Sequence, residues 1–187
     1  PLARGGDFEF VDEIFGGSIP RQYVPAVEKG IQDARVKGVL AGFPMVDFRV
    51  RLKDGQYHDV DSSEMAFKIA GSLAYQEAMQ NAKPTLLEPI MHVDISAPSE
   101  YIGDIMGDLN SRRGRVEGVD VDDDSQVVHA RVPFAEMLTY GSTLRSLTHG
   151  RGSFHMEMSH YEEVPRNLQD KIITETRKPR EAHAPAH

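Results

Sequence analysis

Cysteine is absent from this chain of 187 residues. That excludes disulfides and thiolate metal sites, and it fits a reducing compartment. No apolar run approaches the ~18 residues of a membrane helix, so no span is expected. Basic residues are in the minority: 21 Lys and Arg against 29 Asp and Glu give a formal net charge of −8. General electrostatic binding of nucleic acid is therefore disfavoured, and any RNA contact must use local basic clusters. Enzyme signatures are missing too. There is no G-x-x-x-x-G-K-[ST] loop to cradle a triphosphate, no G-x-S-x-G elbow and no H-E-x-x-H. The sequence begins Pro1-Leu2-Ala3-Arg4-Gly5, without Met or a signal-peptide pattern. The expectation is a piece cut from something longer. What is present suffices for folding: an apolar share of 40% builds cores, and the length suits one large domain or two small ones.

The pattern divides near Lys83-Pro84. In the first half, Phe8 to Phe15 reads as a strand and Gly16-Gly17-Ser18 as a loop. Val24 precedes Pro25, which disfavours helix at Val24 and makes Pro25 the expected first helical residue. Val27, Ile31 and Ala34 keep helical spacing to about Val36, and Gly38 and Gly42 break it. Val46 to Leu52 alternates apolar and polar residues as a half-buried strand does. The run Asp54 to Ala74 is the most informative. Asp54-Gly55 signals a turn, Gln56 to Val60 leave it extended, and Asp61 with Glu64 forms a capping-box-like pair. Met65, Ile69 and Leu73, with Ala66 and Ala70, predict the buried face of a helix ending near Asn81. His58 is then expected near the end of a short hairpin.

The second half predicts a strand over Leu86 to Ala97 and a helix from Pro98-Ser99-Glu100 to about Arg112. That helix carries Ile102, Ile105, Met106 and Leu109 on one face, and Gly114 stops it. Strands follow over Arg115 to Val121 and Gln126 to Val132, joined by an acidic turn. A helix over Phe134 to Leu147 has Ala135, Leu138 and Leu144 as expected core residues. The last strand is Phe154 to Glu163. This order is βαββαβ, a ferredoxin-like split βαβ unit. A short helix after Pro165 is expected to reach Arg177, and Pro179 to His187 read as a disordered tail. The fold class is thus α+β, with two small α/β sandwich-type domains, the first of βαβ type with an extended tip.

Candidate side chains have competing readings. A turn histidine such as His58 is ordinarily a solvated surface residue, yet imidazole offers donor, acceptor and stacking surface suited to single-stranded or distorted RNA. Gly16, Gly17 and Ser18 are either a plain connection or a loop allowing close backbone approach. Arg112, Arg113 and Arg115 either grip phosphate or offset a helix dipole. Arg145, His149 and Arg151 end the other helix, and the two groups are expected to define one basic edge. Asp120, Asp122 and Asp124 have the spacing of a calcium loop, but Ser125 and Arg131 stand where Gly and Glu belong. An acidic solvated turn fits better, and no metal ligand set is expected. Catalysis by His58 with Asp59 and Asp61 is disfavoured, because Asp59 points opposite to its strand neighbour and Asp61 is used as a cap.

The runs YHDVDSSEMAFKIA, LLEPIMHVDI, GDIMGDLNSRRGRVEG and LRSLTHGRGSF, with GGSIPRQYVPAVEKG and GVLAGFP, resemble the C-terminal two domains of translation elongation factor G, in the same order from Phe8 to about Val164. The resemblance implies that residues 1–84 are a domain IV that enters the A site, on the small side of the ribosome, during translocation. Residues 85–165 are then a domain V near the stalk base and the sarcin–ricin loop, with 166–187 a short helix and tail. It implies tip contacts to the tRNA–mRNA complex through Gly16, Gly17, Ser18, Gln56, Tyr57, His58 and Asp59. Arg112, Arg113, Arg115, Arg145, His149 and Arg151 are implied candidates for rRNA contact. Implied partners are the ribosome, with its rRNA and proteins, and the remaining domains of the same polypeptide. A cytoplasmic monomer with no membrane partner is expected. GTP and magnesium would belong to an absent nucleotide domain of the parent GTPase, so no cofactor and no enzyme activity are expected here. The stretch RGRGSFHMEMSHYEEVP leans toward an elongation-factor-G-like paralogue acting in recycling, rescue or protection. The reading from another class is a stand-alone enzyme using His58.

Overall fold

The computed structural model describes residues 1–122 and 125–177. They form two compact units, Pro1–Leu86 with the segment from Pro165, and Leu87–Val164. Among the described residues no helix is long and apolar enough to cross a membrane.

In the first unit, β1 (Phe8–Asp12) and β2 (Phe48–Leu52) pair in parallel, Phe8 opposite Phe48 and Asp12 opposite Leu52. Parallel neighbours need a crossover, and α1 (Val24–Lys37) supplies it. Pro25 sits in the first turn, where its missing N–H costs nothing. The helix nevertheless begins at Val24, whose φ of −57° and ψ of −43° are helical despite the following proline. Both strands are shorter than their sequence patterns. Beyond β1 one more bond forms, from the Glu13 amide to the Leu52 carbonyl, and then the Ile14 amide turns back to the Asp12 carboxylate. β2 starts late because Asp47 is in the left-handed region, at φ 61°. Its carboxylate instead accepts from the Gly5 and Asp7 amides and from Arg4.

α2 (Glu64–Asn81) departs from expectation in two respects. Its cap is Ser63, whose hydroxyl accepts from the Ala66 amide, and not Asp61. Its buried face is Phe67, Gly71 and Tyr75, while Met65, Ile69 and Leu73 are exposed. Glycine decides this. A Cβ on Gly30 of α1 would lie 2.0 Å from the Lys68 carbonyl oxygen, and one on Gly71 would lie 2.7 Å from that of Val27. The helices cross backbone to backbone at these glycines, so the turns around Gly71 must face α1. Around the crossing, Ala26, Val27, Ile31, Ala34, Phe48, Phe67 and Tyr75 form one core. The helix after Pro165, α6 (Arg166–Arg177), is tied in by Gln169, which accepts from the Leu86 amide and donates to Thr85 Oγ1.

The second unit is a four-stranded antiparallel sheet ordered β4 (Arg115–Asp122), β5 (Ser125–Pro133), β3 (Leu87–Ala97), β6 (Ser153–Glu163). α3 (Ile102–Ser111) follows β3. The single helix expected over Phe134 to Leu147 is two, α4 (Phe134–Met137) and α5 (Tyr140–Leu147). The break at Leu138-Thr139 rotates the second piece. Met137 of the first piece and Tyr140 and Leu144 of the second are buried, and of the expected core residues Ala135 and Leu138 are exposed. Ile102, Ile105 and Leu109 of α3 close the same core against Val93, Ile95, Val128, Ala130 and Val132. This is the ferredoxin-like βαββαβ arrangement. The acidic turn at 123–124 and the tail beyond Arg177 lie outside the described residues.

Candidate functional site

Because β1 and β2 are parallel, the connections that follow them leave the sheet at the same edge. The carboxyl edge of parallel strands is where open α/β folds carry their sites. Here the first connection holds Phe15, Gly16, Gly17 and Ser18, and the second holds Gln56, Tyr57, His58 and Asp59. No strand returns from β2, so the expected hairpin does not exist; Gln56 to Asp61 instead form a strand-to-helix loop.

The two loops touch. A Cβ on Gly55 would lie 2.4 Å from Ile19 Cδ1, so the first loop packs directly on the second. The Asp54 carboxyl is held below its ordinary range first by the Gly55 amide, 2.8 Å away, and then by the neighbouring Ser18 hydroxyl. That hydroxyl is buried and makes no hydrogen bond of standard geometry. Gly16 and Gly17 have φ of 76° and 74°, with open space around both. They are required for backbone conformation, not for room.

In the second loop His58 is exposed, and its backbone is bracketed by Ser62. Tyr57 stacks on Tyr23 at 5.9 Å, and Tyr23 stacks on Phe67 at 4.8 Å, which anchors the loop to the core. The Tyr57 phenol is held above its ordinary value, first by its hydrogen bond to Asp59 and then by desolvation. Gln56 and Asp59 are exposed. Two residues that the sequence pattern did not single out join this surface: Phe15 is 95% exposed and Val60 94%. An apolar residue inside a polar, glycine-bounded loop was the available signal. The surface as built offers an imidazole, a free aromatic ring, backbone N–H groups at left-handed glycines and carboxylates. It is a presenting surface, with Phe15, His58 and Val60 all exposed.

The basic residues do not form one edge. β3 and β5 are antiparallel, so the helices that follow them are antiparallel too, and their C-termini fall at opposite ends of the unit. Arg112 lies at the C-terminus of α3, while Arg151 pairs with Glu100 beside the N-terminus of the same helix. Nor are the guanidiniums equally free. Arg112, 14% exposed, donates to Asp108 (2.7 Å), the Glu136 carbonyl (2.7 Å) and Thr143 (2.9 Å). Arg113 grips both oxygens of Glu88 at 2.6 and 2.9 Å and also reaches Glu136. It is the left-handed residue after α3, φ 58°. Gly114 is needed next because a Cβ there would meet the Leu109 carbonyl oxygen at 2.7 Å. Arg115, 77% exposed, makes a 3.6 Å contact to Glu162. Arg151 lies over Tyr101, and His149 meets the edge of the same ring. Arg145 is exposed.

Together these features define a two-unit α/β protein that presents loops and surface cations, one unit of βαβ type with a loop-built tip and one ferredoxin-like sandwich. Residues 1–83 match the family described as elongation factor G, domain IV, and residues 85–172 match the elongation factor G C-terminus. The chain belongs to the elongation factor G family. It is 56% identical over 175 residues to elongation factor G of Aquifex pyrophilus, a match covering 94% of this chain and 25% of that protein. A crystal structure from Thermus thermophilus superposes with a TM-score of 0.82 at 46% identity, over 94% of this chain and 26% of the other. The chain thus spans about a quarter of the length of the relatives it matches.

Proposed function

We propose that this chain is the ribosome-binding part of a translational GTPase of the elongation factor G type, working in the cytoplasm in tRNA–mRNA translocation. The observation that carries the reading is the convergence of two loops at the carboxyl edge of β1 and β2, with His58 exposed on one and Phe15 and a glycine turn exposed on the other. Unpaired or distorted RNA is recognised by stacking on aromatic rings and by hydrogen bonds to unstacked base edges, and this surface supplies both. The tip contacts are Gly16, Gly17, Ser18, Gln56, Tyr57, His58 and Asp59. In the second unit the exposed cations Arg115 and Arg145 are the best placed for rRNA phosphate; Arg112 and Arg113 support the fold. GTP and its magnesium are assigned to a nucleotide domain of the parent protein, and this chain contributes no catalytic residue.

The test uses the full-length protein on ribosomes. His58→Ala should leave GTP cleavage nearly intact, because the nucleotide is bound elsewhere, and should slow mRNA movement in a pre-steady-state assay. If both rates fall together, His58 acts through folding or docking. If neither falls, the tip reading is wrong.

A further inference from the structure

The sheet of the second unit has one face on its helices and one face open. Strand residues alternate between the two. Val93, Ile95, Val128 and Ala130 enter the core, so His92, Asp94 and His129 lie together on the open face. His129 of β5 is the register partner of Asp94 of β3.

Three donor atoms converge there. Asp94 Oδ1 is 2.6 Å from His129 Nδ1 and 3.2 Å from His92 Nε2. Donor atoms of the three residues all lie within 4.8 Å of one another. The two imidazoles are near-parallel, at 12° with centroids 6.3 Å apart. The second observation concerns the nitrogens that point away from this focus. His129 Nε2 is 3.1 Å from Asp120 Oδ2, and His92 Nδ1 faces Glu117 Oε2 at 3.7 Å. Glu117 falls where the β4–β5 register shifts between Val116 and Gly118, and Arg131 holds it at 2.6 Å. Each histidine therefore has one nitrogen at a shared focus and the other turned toward a carboxylate, within hydrogen-bond reach for His129 and at 3.7 Å for His92. That is how ligating histidines are oriented at metal centres, where the outer carboxylate fixes the tautomer.

We propose that His92 (Nε2), Asp94 (Oδ1) and His129 (Nδ1) bind a divalent transition ion of the zinc class, with Asp120 and Glu117 as the outer carboxylates and water completing the coordination. Zinc bonds of about 2.0–2.2 Å to nitrogen and oxygen place tetrahedral donors roughly 3.4 Å apart. Asp94 Oδ1 is now 2.6 and 3.2 Å from the two imidazole nitrogens, and the three donor atoms all lie within 4.8 Å of one another, so the move to that spacing is of side-chain size. Two imidazoles in a set of three favour zinc, copper or nickel over magnesium or calcium, which prefer oxygen. Binding requires His92 Nε2 and His129 Nδ1 to be free of protons, as ligating imidazole nitrogens are.

The experiment strips the chain with a chelator, dialyses it, and titrates zinc in competition with a chromophoric indicator. Cobalt is then titrated as a spectroscopic stand-in. Wild type should take one zinc per chain and give cobalt visible bands of low-coordinate nitrogen and oxygen ligation. Asp94→Asn and His129→Ala should each weaken zinc at least tenfold, and Asp120→Asn, which touches no metal, by roughly tenfold or more. His160→Ala, on β6 outside the cluster, should bind as wild type does. The His92→Gln variant removes one proposed donor while keeping a polar side chain of similar reach, should also weaken zinc at least tenfold, and serves if the others fail to fold by circular dichroism. Zinc binding that is absent in wild type, or that persists undiminished in folded His92→Gln and Asp120→Asn, overturns the site. In the second case the ion is held by groups outside this cluster.

Discussion

The His58 amide donates to Ser62 Oγ at 2.9 Å, and the Ser62 amide donates back to the His58 carbonyl at 3.0 Å. This reciprocal latch closes the loop just before α2, so the His58 backbone is fixed while its side chain stays in solvent. One hydroxyl is worth about 0.5–1.5 kcal/mol in a typical hydrogen bond. Ser62→Ala should therefore cost about 0.5–1.5 kcal/mol in denaturant unfolding. Amide exchange at His58 should accelerate by much more than the exchange of core amides. Equal protection in both proteins would mean that the latch is not what holds the loop.

Gly30→Ala should destabilise the first unit by about 1–3 kcal/mol or more, the range for forcing atoms into a packed contact. The obstacle is a backbone oxygen, which cannot rotate away. Leu73→Ala, on the exposed face of α2, should stay within about 0.5 kcal/mol. Thermal melts of the two variants decide the matter. The reverse order would restore Met65, Ile69 and Leu73 as the buried face.

The three arginines after α3 should separate by experiment. Arg112→Met removes a guanidinium with three partners and should cost about 2 kcal/mol, since hydrogen bonds to charged groups run about 1.5–3 kcal/mol. Arg115→Ala should be nearly neutral for stability, as exposed ion pairs usually are. On the full-length protein it should nevertheless weaken ribosome binding and reduce its salt dependence. Unchanged binding at every salt concentration would assign Arg115 to the fold alone.

Acid should loosen the end of β6. The Glu162 carboxyl is held below its ordinary 4.5, first by the His160 hydrogen bond, with desolvation opposing and Arg115 assisting. A lowered folded value means the native state holds fewer protons than the unfolded chain as pH drops. The contribution is therefore complete above about pH 5 and is lost as pH falls through the lowered folded value. Glu162→Gln should flatten the stability profile in that window. An identical acid limb in both proteins would show that other carboxylates carry it.

The sequence alone determined the order of elements, because apolar periodicity and Gly and Pro punctuation act locally. It also marked the two tip loops, through a Gly-Gly pair and an exposed turn histidine, and it showed the family through motifs in order. The buried face of α2 was not legible, because glycine carries no hydrophobic signal and only the approach of α1 makes Gly71 an inside position. The roles of Arg112, Arg113 and Arg115 looked alike in sequence. The partners Glu88, Glu136 and Thr143 of Arg112 and Arg113 lie 23 to 31 positions away, and only folding brings them within reach. His92, Asp94 and His129 were likewise invisible as a set, since only the register of β5 on β3 sets His129 opposite Asp94. Local chemistry can be read from neighbours in the chain, whereas a site made by register and helix crossing exists only once distant backbones are in contact.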